Sequence, residues 1–131
     1  MSTPSVPGIL VVDDDAGVRS YLAAYLPRCG FAAFAACGAE EALDLFQAHR
    51  ESIFLALLDV DMPRIDGPTL LEMLRRLDPG LRCCFMTGGC THPVERLGGA
   101  ERVFAKPFPT GSLGPALRRL HAGPLTAGPE R

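Results

Sequence analysis

Two apolar runs in this sequence end in acidic side chains. Ile9-Leu10-Val11-Val12 stops at Asp13-Asp14-Asp15, and Ile53-Phe54-Leu55-Ala56-Leu57-Leu58 stops at Asp59. Two further runs end in a hydroxyl and an ammonium: Cys83-Cys84-Phe85-Met86 meets Thr87, and Val103-Phe104-Ala105 meets Lys106. If the acidic ends lie side by side their charges repel, by roughly 4 kcal/mol at ~4 Å and an effective dielectric near 20. Such a group needs a proton or a cation within it. A hard, oxygen-seeking ion fits, Mg2+ first and Mn2+ as its substitute, because it takes a few carboxylates and leaves positions for water and a phosphate oxygen. Asp59 could then attack phosphorus and form an acyl phosphate, with the Thr87 hydroxyl and the Lys106 ammonium holding the transferred oxygens.

Each of these residues also has a plainer use. Asp13 to Asp15 could cap the helix that follows, since carboxylates accept from free helix N–H groups and favour the positive end of the dipole. Thr87 could serve a turn, and Lys106 could lay its stem over apolar surface with its head in water. Pro107 keeps Lys106 extended, as a strand terminus requires. Asp59 fits such a use least, because an acid that closes an unbroken apolar strand is poorly placed for simple solvation.

The elements that would position these groups are legible from the apolar periodicity. The 131 residues suffice for one domain with a core of its own and fall short of two. Ile9–Val12, Phe31–Ala36, Ile53–Leu58, Cys83–Met86 and Val103–Ala105 read as five strands. Val18, Leu22 and Leu26 recur at helical spacing before Gly30; Gly38 to Glu41 opens a second helix with Ala42, Leu45 and Phe46 on one side. Leu70, Leu71, Met73, Leu74 and Leu77 mark a third helix that Asp78-Pro79-Gly80 ends, and Leu113, Leu117 and Leu120 mark the last. Met62-Pro63 and Asp66-Gly67 read as a loop. Between Thr87 and Gly99 the stretch is short and holds Pro93, which predicts a brief or irregular helix.

Strands alternating with helices predict an α/β fold, a doubly wound five-stranded parallel sheet with helices on both faces. In the flavodoxin-like strand order 2-1-3-4-5, strands one and three are neighbours and the ligand site lies beyond their carboxyl ends. Asp13, Asp14 and Asp59 converge in that arrangement. Residues 1–122 are expected to form the domain, and residues 123–131, rich in Gly and Pro, a flexible tail.

Composition narrows the function classes. Hydrophobic residues at 47% and charged residues at 21% are ordinary for a soluble globular chain. A net charge of −2 with scattered basic residues gives no reason to expect direct nucleic-acid binding. There is no apolar stretch of membrane-spanning length and no signal-peptide pattern, so a cytoplasmic protein is expected. Cys29, Cys37, Cys83, Cys84 and Cys90 are odd in number and form no C-x-x-C pair, which predicts reduced thiols; Cys83 and Cys84 are expected to act as small hydrophobes, while Cys90 falls in a loop near the proposed site.

Four motifs in order, Val11-Val12-Asp13-Asp14-Asp15, Leu58-Asp59-Val60-Asp61-Met62-Pro63 with Asp66-Gly67, Met86-Thr87-Gly88, and Lys106-Pro107-Phe108, resemble the signatures of response-regulator receiver domains, the chemotaxis-regulator type included. The resemblance covers nearly the whole chain. It implies Asp59 as phosphoacceptor, Asp14 as a direct Mg2+ ligand, Asp13 as a ligand through water and the Asp61 main-chain carbonyl as a further ligand. It implies that Thr87 binds the phosphoryl group and shifts inward, and that Lys106 pairs with that group. The donor would be a phosphohistidine on a sensor histidine kinase or a histidine phosphotransfer protein. Such a domain is a phosphoacceptor, self-catalysing its own transfer and dephosphorylation, rather than an enzyme.

Departures from the pattern concern output. Val103 stands where many receivers carry a rotating Tyr or Phe, and its neighbour Phe104 must point to the opposite face. Asp61 adds an acid near the phosphate, and Gly89 offers no side chain to block or guide water. Nothing recognisable as an output domain follows the last helix, so a stand-alone receiver acting through an unknown output protein is expected. Two rivals differ in class: a receiver-shaped module that works by protein contact without phosphate, and a phosphatase of the haloacid-dehalogenase type, which Asp59-Val60-Asp61 superficially resembles.

Overall fold

The computed structural model describes residues 6–89, 99–108 and 111–122. Nine elements follow one another: β1 (Gly8–Val12), α1 (Ala16–Arg28), β2 (Ala32–Ala36), α2 (Ala39–His49), β3 (Ile53–Asp59), α3 (Gly67–Leu77), β4 (Arg82–Thr87), β5 (Arg102–Ala105) and α4 (Leu113–Ala122). The strands form one sheet in the order β2-β1-β3-β4-β5, and each neighbouring pair is parallel. Fold class and strand order are those expected from the sequence. The segment expected as a brief helix, with Cys90 and Pro93, lies outside the described residues, as does the tail 123–131.

Alternation along the strands builds two cores. Ile9, Val11, Leu55, Leu57, Cys84 and Met86 pack with Leu22 and Leu26 of α1 and with Leu113, Leu117 and Leu120 of α4. Leu10, Val12, Ala56, Leu58, Cys83 and Phe85 pack with Phe46 of α2 and with Leu70 and Leu74 of α3. Both faces of the central strands are therefore covered, which is why they read as continuous apolar runs. Burial pushes the Cys84 thiol up to about 12 and the Cys83 thiol higher still, so both serve as small apolar packing groups. At the sheet edge Phe104 is buried and Val103 is 45% exposed, the opposite facing expected of adjacent strand residues.

Helix ends carry their own signals. Asp15 is the N-cap of α1 and accepts from Gly17 N–H at 2.7 Å and more weakly from Val18 N–H at 3.4 Å. After α1 the chain turns through Gly30 at φ +99°, the left-handed conformation that glycine tolerates. Asp66 caps α3 by accepting from Thr69 N–H at 2.9 Å. Gly67 is thus the first residue of α3, where the sequence reading had a loop.

Candidate functional site

Strand register brings the acids together. Val12 lies opposite Leu58, so the residues after them, Asp13 and Asp59, leave adjacent strand ends. Thr87 pairs with Ala105, which sets Lys106 one residue beyond that pair on the far side of β3. Asp13, Asp14 and Asp59 each offer a carboxylate oxygen, and these atoms all lie within 4.8 Å of one another. Asp13 is fully buried and Asp59 is 4% exposed, while Asp14 is exposed.

The consecutive acids divide the work. Asp15 caps α1, so the plain reading of this cluster holds for that residue alone. Asp13 turns inward: Oδ1 accepts from Asp15 N–H at 2.9 Å and Oδ2 from Lys106 Nζ at 2.9 Å. Lys106 Nζ also stands 3.3 Å from Asp59 Oδ1, the oxygen to which Asp61 donates its N–H at 3.3 Å. Thr87 closes β4, and its hydroxyl accepts from Gly89 N–H at 3.1 Å. Among the described residues it makes no hydrogen bond to the acidic cluster.

Electrostatics follow from this packing. Burial, and then the Asp13 charge, push the Asp59 carboxyl from an ordinary 3.8 up to about 7, against the opposing pull of Lys106 and of the Asp61 N–H. Burial pulls the Lys106 ammonium down, but its hydrogen bond to Asp13 and the charges of Asp13 and Asp59 outweigh that and raise it. The cluster therefore carries more negative charge than one ammonium neutralises. Oxygens within 4.8 Å suit an octahedral ion with bonds of about 2.1 Å, whose opposite ligands lie about 4.2 Å apart. An all-oxygen set with one exposed member fits Mg2+ or Mn2+ and leaves an open side.

Between its unfolded value near 3.8 and about 7, Asp59 holds a proton in the native state that the unfolded chain has released. Raising the pH through that window therefore destabilises the metal-free protein, by roughly 2–4 kcal/mol. Asp59→Asn lacks this titration and should gain that much on wild type between pH 4 and pH 8 in urea unfolding with EDTA. A gap between the two proteins that ignores pH would refute the assignment.

The chain matches the family described as response regulator receiver domain over residues 9–118. It belongs to that family. Sporulation initiation phosphotransferase F of Bacillus subtilis is 32% identical over 114 residues, 85% of this chain and 90% of that protein. Sensor kinase CckA of Brucella abortus is 29% identical over 115 residues, yet the chain spans only 12% of its length. The Thermotoga maritima response regulator TrrA, solved in complex with Mg2+-BeF, superposes with a TM-score of 0.76 at 26% identity, covering 87% of this chain and 98% of that one. Receiver domains thus occur among its relatives both as nearly whole proteins and as small parts of large ones. Within a receiver, Asp59 ends the third strand of a two-component signalling fold, and membership of this family displaces the phosphatase resemblance of Asp59-Val60-Asp61. No helix among the described residues is long and apolar enough to cross a membrane.

Sequence reasoning missed two contributors to this receiver site. Gly67 packs so closely that a Cβ there would stand 2.4 Å from the Asp59 carbonyl oxygen. Arg19 donates from Nη1 to the Asp13 carbonyl oxygen at 2.9 Å. Gly67 stood in the sequence within the Asp66-Gly67 motif and Arg19 as a basic residue one turn into α1, and neither points inward by itself.

Proposed function

We propose that this receiver accepts a phosphoryl group on Asp59 from a phosphohistidine donor, carried by a sensor histidine kinase or a histidine phosphotransfer protein. The observation that carries the reading is the meeting of the Asp13, Asp14 and Asp59 carboxylates within 4.8 Å of one another, with Lys106 bound to two of them. Asp14 directly, Asp13 through water, Asp59 and the Asp61 main-chain carbonyl would hold Mg2+, with Mn2+ able to replace it. When bound there, the ion offsets charge on the transferred oxygens.

An Asp59 carboxylate oxygen forms the new bond to phosphorus while the bond from phosphorus to the donor imidazole nitrogen breaks, and the imidazole leaves with a proton from solvent. Lys106 sits 3.3 Å from an Asp59 oxygen, within reach of a phosphoryl oxygen attached there. Thr87 exchanges its contact with Gly89 for the phosphoryl group and moves inward. That movement biases a two-state equilibrium read by an output protein. A cleft of about 420 Å3 lined by Tyr21, Lys106 and Phe108 opens beside the site. The cytoplasm, where kinases draw on ATP and magnesium is plentiful, is the compartment this chemistry requires.

Intact mass after incubation with acetyl phosphate and Mg2+ tests the reading. Wild type should gain one phosphoryl mass; Asp59→Asn, or wild type with EDTA, should gain none. An unmodified wild type would instead favour a receiver-shaped module that works by contact alone.

A further inference from the structure

The peptide that joins Asp13 to Asp14 is gripped from outside the acidic cluster. Asp13 is fully buried, and its other polar groups are in use: its N–H donates to Ala36 O at 3.2 Å, Oδ1 accepts from Asp15 N–H, and Oδ2 accepts from Lys106. Its carbonyl oxygen takes the Arg19 guanidinium at 2.9 Å. A donor that carries charge makes one of the stronger hydrogen bonds, and a buried carbonyl without one keeps its full desolvation cost. Because the peptide unit is planar, pinning its oxygen also fixes the direction in which the chain leaves for Asp14. The Arg19 charge is also felt outside that loop. The Glu41 carboxyl of α2 is held below its ordinary range mainly by hydrogen bonds from Cys37, with a smaller contribution from the Arg19 charge.

We propose that Arg19 is a positioning residue for the acidic cluster: by holding the Asp13–Asp14 peptide it keeps both carboxylates turned toward Asp59 against their mutual repulsion, and so sets the affinity for the divalent cation. This rests on the reading of the cluster as a cation site. Arg19 touches neither phosphorus nor the nucleophile and acts only through Asp13 and Asp14. Methionine reproduces its aliphatic stem without the donor.

Mg2+ affinity of the full chain, measured by calorimetric titration on folded protein, separates this role from a structural one. A residue needed only for folding lowers the unfolding midpoint but leaves the affinity of the folded fraction alone. Arg19→Met is expected to bind Mg2+ about tenfold more weakly, and Arg19→Lys, which restores a charged donor, to stay within about threefold of wild type. If Arg19→Met does not fold, Arg19→Gln provides the comparison, with a neutral donor and an affinity between the two. Equal Mg2+ affinity in wild type and the donor-free variant overturns the role of Arg19 while leaving the cation site in place. A folded Arg19→Lys as weak as Arg19→Met overturns it as well. A wild type that binds no Mg2+ removes the cation site itself, and this inference with it.

Discussion

Lys106→Met is expected to cost the metal-free protein about 4 kcal/mol at pH 8 and roughly half of that at pH 5. The ammonium lies 2.9 Å from Asp13 Oδ2 and 3.3 Å from Asp59 Oδ1, and both carboxylates are buried. Removing it leaves the buried carboxylates with no counterion, the costly way to break a buried pair. The sign of the pH effect comes from Asp59. A lysine whose folded value is raised contributes its full stability anywhere below its ordinary 10.5, so its own titration adds no slope between pH 5 and pH 8. Asp59 does titrate in that range, and Lys106 now opposes its rise to about 7. Without the lysine that carboxyl moves further up, and ionising it becomes progressively more destabilising toward pH 8. At pH 5 Asp59 is protonated in both proteins, so only Asp13 loses a partner. Added Mg2+ should return part of the loss, since a cation then replaces the ammonium. Under the proposed function the rate of phosphoryl transfer from acetyl phosphate should also fall by about 10²–10³, the usual effect of losing one group that stabilises developing charge. Urea unfolding at both pH values, with and without Mg2+, checks the first part. A loss of the same size in all four conditions would mean that Lys106 acts by packing alone.

Gly67→Ala should be the most disruptive single methyl addition near the site. A Cβ at that position would stand 2.4 Å from the Asp59 carbonyl oxygen and 3.1 Å from both the Asp59 carbonyl carbon and Val60 Cα. These are backbone atoms, so no side chain can swing aside. The Gly67 N–H meanwhile donates to Val60 O at 3.0 Å, which ties the first turn of α3 to the end of β3. The strand end, the helix or both must shift. Overpacking of this kind costs about 1–3 kcal/mol, with the upper end expected here because only backbone can yield. A shift of ~1 Å in Asp59 would also lower phosphoryl transfer by about 10²-fold, through lost alignment. Gly38→Ala is the control: nothing lies within 4 Å of the added methyl, and its backbone is extended at φ −176°. It should lose no more than about 1 kcal/mol and keep its transfer rate. Thermal unfolding and the time course of modification would show both effects, and a Gly67→Ala protein indistinguishable from Gly38→Ala would contradict the packing argument.

What the sequence determined alone is the frame and the position of the chemistry along it. Strands covered on both faces must be apolar throughout, so Ile9–Val12 and Ile53–Leu58 announce themselves, and the acids that end them mark the carboxyl edge of the sheet. Alternation with helices then leaves few topologies, and the expected order was the observed one. Local pattern also gave the opposite facing of Val103 and Phe104, because a strand has a period of two.

Tertiary structure decided which member of each motif does what. Three successive aspartates look alike along a chain, yet one caps α1, one stays exposed and one is buried against a lysine 93 residues away. That division depends on how the loop leaves the sheet, which no local window contains. Gly67 read as loop punctuation, although its necessity lies in the approach of the Asp59 backbone, a distance set by how α3 docks. Arg19 read as one more charge on a helix until the fold put the Asp13 carbonyl within its reach. Apolar periodicity is a property of neighbours in sequence and survives in one dimension. Charge pairing and steric closeness are properties of neighbours in space, and they come into being only when distant segments pack.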